Sequence, residues 1–157
     1  MLSIATMYAQ IPNVELQDIK GKTVNINQIC NSGKPTIISF FATWCKPCLR
    51  ELNAIADVYD EWQEETGVQL IAVSIDRAQD IEKVRPLVNG NSWDYIVLLD
   101  ADNELKRQMQ VQTVPHMFVV DSKGKIIEQR TGYTDGQEAQ LYEVIKKLRT
   151  GKWKNIH

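Results

Sequence analysis

An α/β fold, one mixed sheet covered by helices on both faces, is what this sequence predicts. Three observations lead there. Two apolar runs, residues 36–42 (TIISFFA) and 68–75 (VQLIAVSI), are short, nearly continuous and rich in branched side chains, as strands buried on both faces are. Between such runs lie segments whose apolar residues recur every three or four positions, as on amphipathic helices. Strands that alternate with helices pair in parallel through right-handed crossovers, and a hairpin turn at Asp121-Ser-Lys-Gly124 adds an antiparallel edge.

Taken in order, residues 14–26 (VELQDIKGKTVNI) read as two short strands around a turn at Lys20-Gly21-Lys22. A helical turn is expected over 27–31, and Ser32-Gly33-Lys34-Pro35 breaks the chain. After the 36–42 strand comes a helix over 45–65, with Leu49, Leu52, Ile55, Ala56, Tyr59 and Trp62 on one face and Gly67 as its stop. The 68–75 strand follows. Next come a helix over 79–88 with Pro86 near its end, a short strand over 95–99, and a helix over 102–110 capped by Asp100 or Asp102. Residues 116–120 and 125–130 are the closing strands, and a last helix spans 135–149.

A chain of 157 residues suits one domain. Its net charge of -2 argues against nucleic acid or an anionic membrane as a partner. No run of about 18 apolar residues is present, so no membrane-spanning helix is expected. Residues 1–9 (MLSIATMYA) carry no charge, and Ala9-Gln10 is small then polar. Residues 1–12 therefore read as a leader or the tail of a signal peptide, with a first strand as the alternative. Residues 13–157 read as a single domain.

Chemistry concentrates in Trp44-Cys45-Lys46-Pro47-Cys48, where a buried strand ends and a helix begins. The first turn of a helix has unpaired N–H groups and a positive dipole end, and both stabilise a thiolate. Cys45 is thus the expected nucleophile, with a depressed pKa. Cys48 lies one turn on, on the same face, and can attack a mixed disulfide on Cys45. Pro47 suits an early helical position because its missing N–H would be unpaired anyway. A metal half-site is the competing reading of the pair. It needs two more ligands, and Cys30, His116 and His157 are scattered.

The run Phe40-Phe-Ala-Thr-Trp-Cys-Lys-Pro-Cys-Leu-Arg-Glu51 resembles the active-site signature of TlpA/ResA-like extracytoplasmic thioredoxins, within the AhpC/TSA-related redoxins. Val97-Leu-Leu-Asp100 and Gln110-Val-Gln-Thr-Val-Pro-His-Met-Phe-Val-Val-Asp121 resemble the same family. With the Lys20-Gly21-Lys22 hairpin, the likeness covers residues 14–149. It implies a thioredoxin fold with an N-terminal β-hairpin and a central insertion over 84–110. It implies a protein-disulfide oxidoreductase that uses neither cofactor nor metal. Val114-Pro115 matches the family's cis-proline, so Trp44, Pro47, Val114 and Pro115 are the expected substrate contacts. Glu51 matches an acidic residue that can move the proton of Cys48 if burial raises its pKa. Read without the family, Glu51 is a solvated helix carboxylate. The expected partners are protein disulfide or dithiol substrates and a membrane thiol donor, with the chain a monomer. The expected location is periplasmic or otherwise extracytoplasmic, with anchoring left open.

Several residues depart from the pattern or stay ambiguous. Ser39 stands where cytoplasmic thioredoxins place a buried Asp, and serine is no proton acceptor at neutral pH, so Glu51 takes that task. His116 either touches substrate and tunes Cys45 or is a strand residue with its ring hydrogen-bonded. Trp44 either shapes a docking surface or packs in the core. Cys30 reads as a small buried apolar residue rather than a third redox partner. The basic residues Lys146, Lys147, Arg149, Lys152 and Lys154 complement a helix C-terminus. Two other functions compete. A thiol peroxidase would place Pro and Thr upstream of its reactive Cys, whereas Ala42 stands three before Cys45 and no proline lies between Pro35 and Pro47. A metal chaperone or interaction module would want a suitably spaced His.

Overall fold

The computed structural model describes residues 9–149 of the chain. A hairpin of β1 (Glu15–Asp18) and β2 (Thr23–Asn25) leads into α1 (Ile26–Cys30). Then β3 (Thr36–Phe41) precedes α2 (Lys46–Ala56) and α3 (Tyr59–Thr66). Next, β4 (Gln69–Ser74) runs through a 3₁₀ turn (Ile81–Lys83) into α4 (Val84–Gly90), and β5 (Ile96–Leu99) precedes α5 (Glu104–Gln108). The chain closes with β6 (His116–Val120), β7 (Ile126–Thr131) and α6 (Gln137–Arg149).

The strands form one sheet in the order β2-β1-β5-β4-β3-β6-β7. The central β3, β4 and β5 are parallel, as their helical crossovers require. On one side β6 and β7 add the antiparallel edge expected of the closing hairpin. On the other, β1 pairs antiparallel with β5 and carries β2 as the outermost strand. Every residue of β3 is buried, and alternation along it divides the core. Ile37 and Phe41 face Leu52 and Ile55 of α2, Trp62 of α3, Val84 of α4 and Ile145 of α6. Ile38 and Phe40 face Ile26 of α1 and Leu105 of α5. Ser39 shares the parity of Ile37 and Phe41, so its hydroxyl points at α2.

Two helices differ from the periodicity reading. The helix expected over 45–65 is interrupted at Asp57-Val58. There the Val58 N–H steps back three residues to the Ile55 carbonyl (3.0 Å), and Val58 sits at φ −119°. Asp and Val are weak helix formers, and the break turns the second half onto the core. Tyr59 Oη accepts the Leu70 N–H (3.1 Å), and Trp62 stacks on Tyr142 of α6 at 5.0 Å. The apolar spacing runs on across so tight a turn, which is why spacing alone reads one helix. The helix expected over 79–88 begins later, and Pro86 is the third residue of α4 rather than near its end. First-turn N–H groups have no intrahelical acceptor, so proline costs nothing there.

Of the leader expected over 1–12, residues 1–8 lie outside the described residues, as do Lys152 and Lys154 of the basic cluster. Residues 9–12 join the domain. Ile126 donates to the Ala9 carbonyl (3.0 Å), Gln10 bridges to Lys125, and Ile11 is buried. No helix among the described residues is long and apolar enough to cross a membrane.

Candidate active site

The buried strand β3 delivers the chain to Phe41, and α2 starts five residues later, at Lys46. Cys45 is its N-cap, extended at φ −97° and ψ 99°, and its Sγ accepts the backbone N–H of Cys48 at 3.3 Å. Lys46 opens the helix and Pro47 follows within its first turn. Cys45 and Cys48 are joined as a disulfide with their Cα atoms 5.3 Å apart. Cys45 retains 5% exposure and Cys48 only 1%. Cys45 is therefore the less buried residue of the pair, and the N–H aimed at its sulfur favours a thiolate there once the bond is reduced.

One turn beyond Cys48, on the same buried face of α2, lies Glu51. It is not the solvated carboxylate that its sequence position alone suggests. Burial pushes its pKa up to about 7, opposed by a hydrogen bond from Ser39 and by the charge of Arg130. Ser39 Oγ donates to Glu51 Oε1 at 3.3 Å, so the strand position read as a departure from the family pattern partners the acid directly. Glu51, Met117, Arg130, Tyr133 and Glu138 line one narrow crevice between α2 and the first turns of α6.

The Val114–Pro115 peptide bond is cis. Because β6 runs antiparallel to β3 with His116 opposite Phe40, Pro115 lies beside the strand end from which the cysteine loop departs. Pro115 is buried, Val114 and Pro47 half-buried. Trp44 is 68% exposed, the one large exposed hydrophobic among the described residues, which removes the core-packing reading. With Ile75, Arg77, Lys106, Thr113 and Val114 it lines an open cleft of about 490 Å³. The His116 ring is tied down: Nε2 pairs with Gln129 Oε1 at 3.0 Å, and the ring stacks on Phe118 at 4.6 Å. Cys30, the last residue of α1, is fully buried in the core on the far face of the sheet, where burial pushes its thiol up to about 12.

Sequence reasoning missed one group at this end of the sheet. Asp76, 1% exposed, follows β4 and reaches across to the cysteine loop. Its Oδ2 accepts the Thr43 N–H (3.0 Å) and the Ser74 hydroxyl (2.7 Å), and its Oδ1 accepts the Thr43 hydroxyl (2.7 Å). The available signal was position. An acid directly after a buried parallel strand lies at the carboxyl end of the sheet, where α/β folds build their sites.

Comparison with known proteins gives concordant matches. A profile of the AhpC/TSA family matches residues 7–129. The thiol-disulfide oxidoreductase ResA of Bacillus thuringiensis is 30% identical over 139 residues, 88% of this chain and 76% of that protein. The sporulation thiol-disulfide oxidoreductase A of Bacillus subtilis is 28% identical over 118 residues, 74% of this chain and 69% of that protein. Among solved structures, a thioredoxin-like protein from Porphyromonas gingivalis is 56% identical, with a TM-score of 0.80 over 92% of this chain and 95% of that one. StoA from Bacillus subtilis is 25% identical, with a TM-score of 0.68 over 85% of this chain and 97% of that one.

Proposed function

We propose, on the premise that this chain belongs to the AhpC/TSA family and is a thiol–disulfide oxidoreductase of thioredoxin-like fold, that it reduces protein disulfides outside the cytoplasm. Cys45 is the attacking thiol, Cys48 the resolving thiol, and Glu51 the group that moves the proton of Cys48. The observation that carries this reading is the Cys45–Cys48 disulfide at the start of α2, with a buried carboxyl one turn further along.

In the reduced protein the Cys45 thiolate attacks one sulfur of a substrate disulfide. The substrate S–S bond breaks, a mixed disulfide forms on Cys45, and the first substrate sulfur leaves and takes up a proton. Glu51 accepts the proton of the Cys48 thiol. The Cys48 thiolate attacks Cys45 Sγ, and the second substrate sulfur leaves, protonated through Glu51. Two electrons have then passed to the substrate, and the Cys45–Cys48 disulfide remains. A group with a pKa near 7 suits both halves of that transfer at neutral pH. The exposed Trp44, with Pro47, Val114 and Pro115, forms the contact surface for an extended substrate segment. A membrane thiol donor recharges the pair, and the chain works as a monomer. Direction and location rest on the resemblance of residues 40–51 to extracytoplasmic thioredoxins.

The test is insulin disulfide reduction with dithiothreitol as donor. Cys45→Ser is expected to abolish turnover, and undiminished turnover would end the assignment. Equilibration with glutathione tests direction. A reductant is expected near thioredoxin's potential of about −270 mV, whereas a value close to about −120 mV would make the pair a disulfide donor.

A further inference from the structure

We propose that Asp76 is a positioning residue for the reaction: its buried carboxylate locks Thr43, and through Thr43 it sets the loop that presents Trp44 and Cys45. The parallel ladder between β3 and β4 ends where the Ile75 N–H meets the Phe41 carbonyl (2.8 Å). Beyond that point backbone pairing stops and side chains take over. The Asp76 N–H turns to Ser74 Oγ (3.1 Å), and the Asp76 carboxylate collects the Ser74 hydroxyl and both donors of Thr43. Asp76 thus accepts from three donors while 1% exposed.

Thr43 is the midpoint of the link between β3 and α2. The Cys45 N–H closes that link on the Ala42 carbonyl (3.1 Å). With Thr43 tied at its amide and its hydroxyl, Trp44 is the single residue between two anchors, and it is held outward over the cleft. An exposed indole gains by burying itself, so a loop without the tie has a reason to fold Trp44 inward and drag the cap with it. The 3.3 Å approach of the Cys48 N–H to Cys45 Sγ depends on that cap. Asp76 touches neither sulfur, and its influence runs through Thr43. The inference rests on Cys45 being the attacking thiol.

Three variants separate the outcomes. Asp76→Ala removes every bond of the carboxylate and leaves the backbone N–H on Ser74 Oγ. Thr43→Val removes only the hydroxyl tie and keeps the side-chain shape. Asp76→Asn retains an acceptor for the Thr43 N–H, and the neighbouring hydroxyls can reorient to the amide. The readouts are the pH dependence of Cys45 alkylation by iodoacetamide, located by mass spectrometry, and insulin reduction resolved into kcat and KM. Asp76→Ala is expected to raise the apparent thiol pKa by on the order of one unit and lower kcat/KM about tenfold. Thr43→Val shifts both in the same direction by less, and Asp76→Asn stays near the parent protein. Thr43→Val carries the test where Asp76→Ala does not fold. An unshifted thiol pKa in folded Thr43→Val, with only a lowered melting temperature, overturns the role. A low-pKa thiol found at Cys48 in the parent protein instead overturns the assignment of Cys45, and this role with it.

Discussion

The buried carboxyl of Glu51 ties the stability of the fold to pH. Its pKa in the folded chain is about 7 against an ordinary 4.5, with burial as the main cause. Between those values the folded state holds a proton that the unfolded state has released. Stability is therefore unreduced below about pH 4.5, falls as pH rises toward 7, and levels off above it. The loss is on the order of 3 kcal/mol for a shift of that size. Glu51→Gln keeps an acceptor for the Ser39 hydroxyl and abolishes the ionisation. It is expected to match the parent protein in urea unfolding at pH 4 and to exceed it by about 2–3 kcal/mol at pH 8. Insulin reduction by the same variant should slow and lose its inflection near neutral pH. Equal stabilities at pH 8 would show that the carboxyl is not held at a cost. The resemblance of residues 40–51 to the TlpA/ResA-like signature is what singled out Glu51 in the sequence. Its burial and its serine partner were invisible there, because both come from β3 packing under α2.

Helices and turns here are bounded by local chemistry, but their axes are set by neighbours. Gly67 ends α3 at φ +73°, a left-handed position, and a Cβ there would meet nothing within 4 Å. Gly124 turns the closing hairpin at φ +82°, but a Cβ there would come within 2.7 Å of Asn31 Oδ1. Asn31 is itself held to the Asn27 carbonyl at 2.9 Å. Gly67→Ala should cost about 1 kcal/mol, the conformational term alone. Gly124→Ala should cost more, because the hairpin turn must push against the end of α1. Chemical denaturation orders the two, and equal costs would mean that the Asn31 contact yields freely. Both variants should retain parental activity, since neither glycine adjoins the cysteines. The break between α2 and α3 follows the same logic. Residues Asp57 and Val58 permit it, but the Tyr59 and Trp62 contacts decide that it happens.

Across the molecule, the sheet sorts three cysteines into three environments. Cys45 caps a helix at the rim, Cys48 lies under it, and Cys30 is enclosed on the opposite face with its thiol pushed up to about 12. Brief iodoacetamide treatment of the reduced native protein at pH 8 should add one label, at Cys45. Cys48 should follow slowly, and Cys30 should react only in denaturant. Mass spectrometry of the intact protein and its peptides reads the order, and rapid native labelling of Cys30 would contradict the buried environment assigned to it. The sheet order also explains why the site is where it is. Parallel β3 and β4 bring their carboxyl ends together, and antiparallel β6 starts at that same end. The cysteine loop, Asp76 and Pro115 meet there although they are far apart in the chain.

From the chain alone one could read the alternation of strand and helix, the turn residues that separate them and the cysteine pair at a strand-to-helix junction. These are short-range signals, carried by side-chain periodicity and by spacing within one helical turn. The docking of the N-terminal hairpin on β5, the split of the long helix, the burial of Glu51 against Ser39 and the grip of Asp76 on Thr43 needed the folded chain. Each depends on which elements become neighbours, at separations such as 12 residues for Ser39 and Glu51 and 33 for Thr43 and Asp76. Burial and hydrogen-bond partnership are properties of a pair of surfaces, and a linear pattern describes only one of them at a time.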